Sequence, residues 1–179
     1  MSLEVVIGPM FAGKSSFIAS HVRRYTTIGV PVLVIKPMID SRYGATDDVC
    51  THDGIRVPCL TADKLLEIGD PRLTSSKVII VEEAQFFKDL RVFIHWIVEI
   101  EKKHVIVVGL DGDSSRRPFG QVLECIPLAD KVTKLTSLCV HCKDGTPAPF
   151  TRRVVNTTGQ VLVGSSDMYE PVCREHYTV

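Results

Sequence analysis

The eight residues Gly8-Pro9-Met10-Phe11-Ala12-Gly13-Lys14-Ser15 constrain this chain more than any other feature. They match G-x-x-x-x-G-K-[ST] at every fixed position. An apolar run, Leu3 to Ile7, precedes the motif and a helical pattern follows it, which is the setting in which such a loop holds phosphate. The glycines let backbone N–H groups turn inward around phosphate oxygens, helped by the helix N-terminus behind them. Lys14 is placed to reach the β- and γ-phosphates, and the Ser15 hydroxyl to ligate Mg²⁺. All eight residues are therefore nucleotide-binding candidates, with ATP and Mg²⁺ as the implied ligands. The alternative, a Gly-rich turn with a chance lysine, leaves the flanking strand and helix as coincidences.

Around this loop, short apolar runs alternate with longer helical patterns as far as Gly109. Leu3 to Ile7, Val32 to Lys36, Val78 to Val81 and Val105 to Val108 are nearly unbroken apolar stretches, as strands are when a parallel sheet buries both their faces. Asp89 to Lys103 sets Leu90, Phe93, Ile94, Ile97 and Val98 at helical spacing. Thr61 to Ile68 is a shorter helix candidate that Gly69 and Pro71 would end. Arg56 to Leu60 reads as an edge strand or an extended loop. The alternation predicts an α/β fold with a doubly wound parallel sheet. After about Leu135 the pattern changes to knuckle-spaced cysteines and a Gly/Pro-rich stretch. Two strand candidates follow, Thr151 to Val155 and Gln160 to Val163, about the turn Asn156-Thr157-Thr158-Gly159. We read residues 1–135 as a P-loop ATP-binding domain and 136–179 as a small zinc-stapled lobe.

The 179 residues carry 21 Lys plus Arg against 21 Asp plus Glu, so no basic surplus points to nucleic acid. Arg23-Arg24, Arg116-Arg117 and Arg152-Arg153 read as solvated or phosphate-related pairs. No apolar run approaches the roughly 20 residues of a membrane span, and Met1-Ser2-Leu3-Glu4 lacks the basic and apolar regions of a secretory signal. A reducing intracellular setting is the expectation.

Two further groups carry chemistry. Val78 to Val81 runs straight into Glu82-Glu83, at the strand end where open α/β sheets bind ligands. Alternation along the chain gives the two carboxylates different directions. Glu82 is placed to hold Mg²⁺ through water, leaving Glu83 to accept a proton from an attacking hydroxyl. Phe86 follows, as either a ligand platform or a core residue. Near the C-terminus, Cys139-x-x-Cys142 and Cys173-x-x-His176 offer three thiolates and an imidazole, a closed tetrahedral set suited to structural zinc. His141 is the weaker ligand candidate, and Cys50, Cys59 and Cys125 receive no role.

Together these residues resemble the type II thymidine kinases, the family of cytosolic cellular and large-virus enzymes. The similarity runs over essentially the whole chain. It includes the Gly8–Ser15 loop, Asp40-x-Arg42-Tyr43, Thr51-His52-Asp53, Glu82-Glu83-Ala84-Gln85-Phe86-Phe87 and Leu110-Asp111-Gly112. Arg116-Arg117-Pro118-Phe119-Gly120, Asp167-x-Tyr169 and the two knuckles complete it. The resemblance implies an ATP-dependent kinase acting on the 5′-hydroxyl of thymidine, with deoxyuridine a second acceptor. It implies Glu83 as the base, and Lys14, Ser15, Glu82 and a loop-borne Arg42 around ATP and Mg²⁺. Met10, Leu110 and Tyr169 would line the base pocket, with Phe86 and Phe119 adding aromatic surface. Main-chain groups of a lasso-like loop at Gln160, Val161, Leu162, Val163 and Gly164 would bond the base edge. It further implies a cytoplasmic homotetramer inhibited by thymidine triphosphate.

The chain departs from the family in three places. Glu82 stands where Asp is common, His176 where Cys is common, and Ser114 where many members carry an aromatic near the substrate. Two other classes share the motifs: an NTPase in which Glu83 activates water, and a metal-stapled module whose loop only senses nucleotide. Thymidine-dependent formation of ADP separates the kinase from both.

Overall fold

The computed structural model describes residues 1–38, 48–50, 54–155, 160 and 168–178. Its strands are β1 (Ser2–Ile7), β2 (Val32–Pro37), β3 (Asp48–Cys50), β4 (Arg56–Pro58), β5 (Leu60–Ala62), β6 (Val78–Val81), β7 (His104–Gly109) and β8 (Lys131–Lys134), then β9 (Ser137–Leu138), β10 (Pro147–Ala148), β11 (Phe150–Arg153) and β12 (Tyr169–Val172). The helices are α1 (Lys14–Thr27), α2 (Pro71–Ser75), α3 (Leu90–His95) and α4 (Arg174–Tyr177). Six strands form one sheet in the order β5-β2-β6-β7-β1-β8, and every pairing within it is parallel.

The four apolar runs are the centre of that sheet, and period-two alternation explains why they contain so few polar residues. Ile79 and Val81 point into one core, shared with Val5, Ile35 and Val107 and covered by Leu90, Phe93 and Ile94 of α3. Val78 and Ile80 point into the other, with Val6, Val34 and Ile106, covered by Ile18 of α1. The sheet is wound on both faces, as its sequence pattern predicts. The helical pattern Asp89 to Lys103 also forms, but not as one regular helix. After α3 it passes into a π turn over Trp96–Ile100, where the Glu101 amide donates to the Trp96 carbonyl at 3.1 Å.

Two expectations need correcting. Thr61 to Ile68 is not a helix: Leu60–Ala62 pairs in parallel with Ile35–Pro37, and the remainder is turn. An open sheet edge satisfies every second backbone group there, whereas so short a segment cannot nucleate a stable helix alone. Gly69 and Pro71 mark a start rather than a stop, because Asp70 caps α2 by accepting the Arg72 amide at 2.8 Å and Pro71 opens it. Arg56–Pro58 joins no edge of the large sheet; it pairs antiparallel with Asp48–Cys50. Near the C-terminus β11 pairs antiparallel with β12, Thr151 opposite Pro171 and Arg153 opposite Tyr169. The strand candidate Gln160 to Val163 falls, beyond Gln160, outside the described residues.

Val5, Val81 and Val107 lie level across β1, β6 and β7. The loops that leave these three strands therefore emerge at one edge of the sheet. Gly8, Glu82 and Leu110 begin them. No helix among the described residues is long and apolar enough to cross a membrane.

Candidate functional site

At that edge the Gly8–Ser15 loop closes on the start of α1. Gly13 takes φ 79° at the helix N-cap, a left-handed conformation that glycine adopts without a Cβ penalty. The Lys14 ammonium folds back on its own loop, donating to the Pro9 carbonyl at 2.8 Å and the Gly8 carbonyl at 3.3 Å. The Ser15 hydroxyl donates to Glu82 Oε1 at 3.2 Å. Glu82 is buried, and its amide donates to the Ile35 carbonyl at 2.8 Å, so it is held at the end of β6. A hydroxyl and a carboxylate at this separation are oxygen donors of the kind Mg²⁺ takes beside nucleotide phosphates.

Glu83 sits one residue further on, with φ 46° and ψ 41°. A non-glycine residue in this left-handed region costs roughly 1–2 kcal/mol, so the surroundings must hold it there. The short 3₁₀ turn Ala84–Phe86 follows and brings Gln85 round beneath Glu83. Gln85 Nε2 donates to Glu83 Oε2 at 2.6 Å, while the Leu110 amide donates to Gln85 Oε1 at 3.0 Å. The two adjacent glutamates thus face different partners, Glu82 the Ser15 hydroxyl and Glu83 the Gln85 amide, and the left-handed turn at Glu83 rather than strand alternation directs the second.

The aromatic residues divide sharply. Phe87 is fully buried in the core, while Phe86 is only partly buried and meets Phe119 edge to face with ring centroids 5.4 Å apart. Tyr169 is buried on β12, and its hydroxyl accepts from Arg153 Nη2 at 3.3 Å. Met10 is tied to the C-terminal segment, its amide donating to Thr151 Oγ1 at 2.9 Å. Gln160 Nε2 donates to Asp113 Oδ2 at 2.9 Å, across the loop after β7. Arg42, Val161, Leu162, Val163 and Gly164 lie outside the described residues.

Cys139, Cys142, Cys173 and His176 place their ligand atoms within 4.8 Å of one another. A tetrahedral zinc with bond lengths of about 2.3 Å to sulfur and 2.0–2.1 Å to nitrogen requires edges of roughly 3.8 Å (S···S) and 3.6 Å (S···N). The Cys142–Cys173 sulfurs are 3.8 Å apart, and His176 Nδ1 lies 3.7, 3.4 and 3.2 Å from the sulfurs of Cys139, Cys142 and Cys173. The four residues fit zinc. Desolvation raises the Cys139 thiol, but amides of Cys142, Cys173 and His141 outweigh it and hold it down to about 6, toward the thiolate that zinc needs. His141 is turned elsewhere: its Nε2 lies 3.1 Å from Glu170 Oε1, and its ring stacks on His176. Among the other cysteines, burial pushes the Cys125 thiol up to about 11, as befits an inert core residue.

A family model described as thymidine kinase matches residues 1–177. The chain belongs to the thymidine kinase family. Thymidine kinase a of Arabidopsis thaliana is 43% identical to it, over 98% of this chain and 74% of that protein. Thymidine kinase of Oryza sativa subsp. japonica is 44% identical over 98% of this chain and 65% of that protein. Thymidine kinase of Vaccinia virus (strain Western Reserve) is 38% identical over 98% and 96%. The kinase is therefore a phosphotransferase on an α/β scaffold with a parallel central sheet.

Several residues at this kinase's site are missed by sequence reading. Thr151 supports the loop at Met10 from 141 positions away. Tyr177 donates its hydroxyl to the Ser114 carbonyl at 2.7 Å, and the Arg116 guanidinium lies 4.1 Å from the Tyr177 ring centre. The C-terminal segment thereby grips the loop after β7. Only Gln85 carried a local signal, as a polar residue next to the acidic pair and inside an otherwise apolar turn.

Proposed function

We propose that the kinase transfers the γ-phosphoryl group of ATP to the 5′-hydroxyl of thymidine, and also of deoxyuridine, with Glu83 as general base. The observation that carries this reading is the convergence at one sheet edge of the Ser15–Glu82 contact with Glu83, one residue beyond. The Gly8–Ser15 amides would wrap the phosphates. Lys14 would exchange its contacts with the Gly8 and Pro9 carbonyls for the β- and γ-phosphate oxygens, and Arg42 would approach the same phosphates. Ser15 and Glu82 would hold Mg²⁺, which supplies neutralisation of the charge shared between phosphates. Glu83 takes the 5′-hydroxyl proton as that oxygen attacks phosphorus in line and ADP leaves.

Met10, Leu110 and Tyr169 would surround the thymine ring, Phe86 and Phe119 extending its aromatic wall, while main-chain groups of residues 160–164 read the base edge. A zinc at Cys139, Cys142, Cys173 and His176 would have no open position and so would be structural, fastening a lobe over 136–179 to the ATP-binding part over 1–135. The family supports a homotetramer in the cytoplasm, inhibited by thymidine triphosphate. The test is a panel of nucleosides incubated with ATP and Mg²⁺. ADP should appear in proportion to thymidine and deoxyuridine and not with purine nucleosides. Phosphate release at the same rate without a nucleoside would reject the reading in favour of an NTPase.

A further inference from the structure

Gln85 belongs to neither the phosphate loop nor the base pocket, yet it is 4% exposed and both ends of its amide are engaged. The orientation is forced by its partners. Leu110 can only donate, so the carbonyl oxygen faces it at 3.0 Å. The NH₂ group then faces Glu83 Oε2 at 2.6 Å. A buried amide is costly unless bonded, and here both of its ends are bonded. The backbone is also cleared for it. A Cβ on Gly109 would lie 2.8 Å from Gln85 Oε1, and a Cβ on Gly120 would lie 2.1 Å from the Gln85 carbonyl oxygen. Gly120 moreover has φ 59°. Both flanking segments thus approach Gln85 as closely as a chain can.

We propose that Gln85 is a positioning residue for phosphoryl transfer. Through its two hydrogen bonds it locks the Glu83 carboxylate, at the end of β6, to the Leu110 amide, at the end of β7. The group that removes the proton and the strand end that borders the nucleoside pocket are then held in one register. This rests on the reading of Glu83 as the base. The left-handed backbone at Glu83 makes such a lock necessary, since relaxation toward an ordinary conformation would swing its side chain out of line. A misplacement of the order of an ångström costs far more in turnover than in binding.

The test is a double-mutant cycle in the full chain with Gln85→Met, Glu83→Gln and the pair combined, reading kcat and the KM for ATP. Met fills the volume but cannot donate to Glu83. If Gln85 acts through Glu83, Gln85→Met lowers kcat about tenfold or more with little change in the KM for ATP. In the Glu83→Gln background the same substitution should cost less than about twofold. Equal costs in both backgrounds overturn the proposal and leave Gln85 a packing residue. Should Gln85→Met not fold, Gln85→Leu carries the same cycle, because it is uncharged, keeps most of the volume and likewise offers Glu83 no donor. A Glu83→Gln enzyme with more than about a tenth of the parent turnover removes the base reading and this role together. Additive costs with a crippled Glu83→Gln remove only the role of Gln85.

Discussion

The Ser15 hydroxyl reaches Glu82 Oε1 at 3.2 Å across 67 residues of sequence, joining the start of α1 to the end of β6. Under the proposed reading, both oxygens border the path of the nucleotide phosphates. Glu82→Gln leaves the hydrogen bond possible but removes the charge a divalent cation needs. The expected outcome is a rise of tenfold or so in the Mg²⁺ concentration needed for half-maximal rate. Thymidine binding measured without nucleotide should stay unchanged. Titration of activity against Mg²⁺ checks this, and an unaltered requirement would place the cation elsewhere.

Glu83 is expected to behave differently from its neighbour. A positioned base contributes about 10²–10⁴-fold, and Glu83→Gln keeps the shape while losing the ability to accept a proton. Turnover should drop by that factor at saturating Mg²⁺, with ATP affinity preserved, because Lys14 and Ser15 are untouched. Steady-state kinetics with a parallel ATP-binding measurement distinguish the two glutamates.

Zinc removal should act on stability first. Structural zinc couples to folding with apparent free energies of about 10 kcal/mol or more, and the C-terminal segment it would fasten holds Met10 through Thr151 and Ser114 through Tyr177. Cys173→Ser is expected to lose stoichiometric metal by elemental analysis, to lower solubility and to abolish activity. Full activity of a metal-free protein would contradict the structural role.

Glu170 gives the C-terminal segment a dependence on pH. Burial alone would raise its carboxyl, but hydrogen bonds from His141 and Arg152 and the Arg152 charge outweigh this and hold it below the ordinary value of 4.5. Arg152 Nε donates to Glu170 Oε1 at 2.6 Å. A carboxylate whose folded pKa is depressed stabilises the fold above its unfolded value, and that stabilisation is lost as pH falls through the folded value. Glu170→Gln should therefore cost about 1 kcal/mol near neutral pH. The difference from the parent protein should close progressively below about pH 4.5, as denaturant melts at several pH values will show. A constant difference down to acid pH would mean the loss is packing rather than charge.

Local patterns were enough to pick out the Gly8–Ser15 loop, the four central strands, the acidic pair and the Cys139, Cys142, Cys173 and His176 cluster that could hold a metal. Each is a short covalent spacing whose geometry is nearly the same wherever it occurs: a loop of fixed length, a run buried on both faces, two residues between ligands. Non-local choices left no such trace. Leu60–Ala62 became a strand because β2 had an open edge beside it, which nothing in Thr61 to Ile68 records. The partner of β11 is Tyr169–Val172, which the turn at Asn156 to Gly159 did not suggest. Thr151 with Met10 and Gln85 with Leu110 are single hydrogen bonds between separate elements. A hydrogen bond of that kind imposes no period and no spacing on the chain. It exists only once β1, β6 and β7 lie level and bring their ends to one edge, and that alignment is a property of the folded sheet.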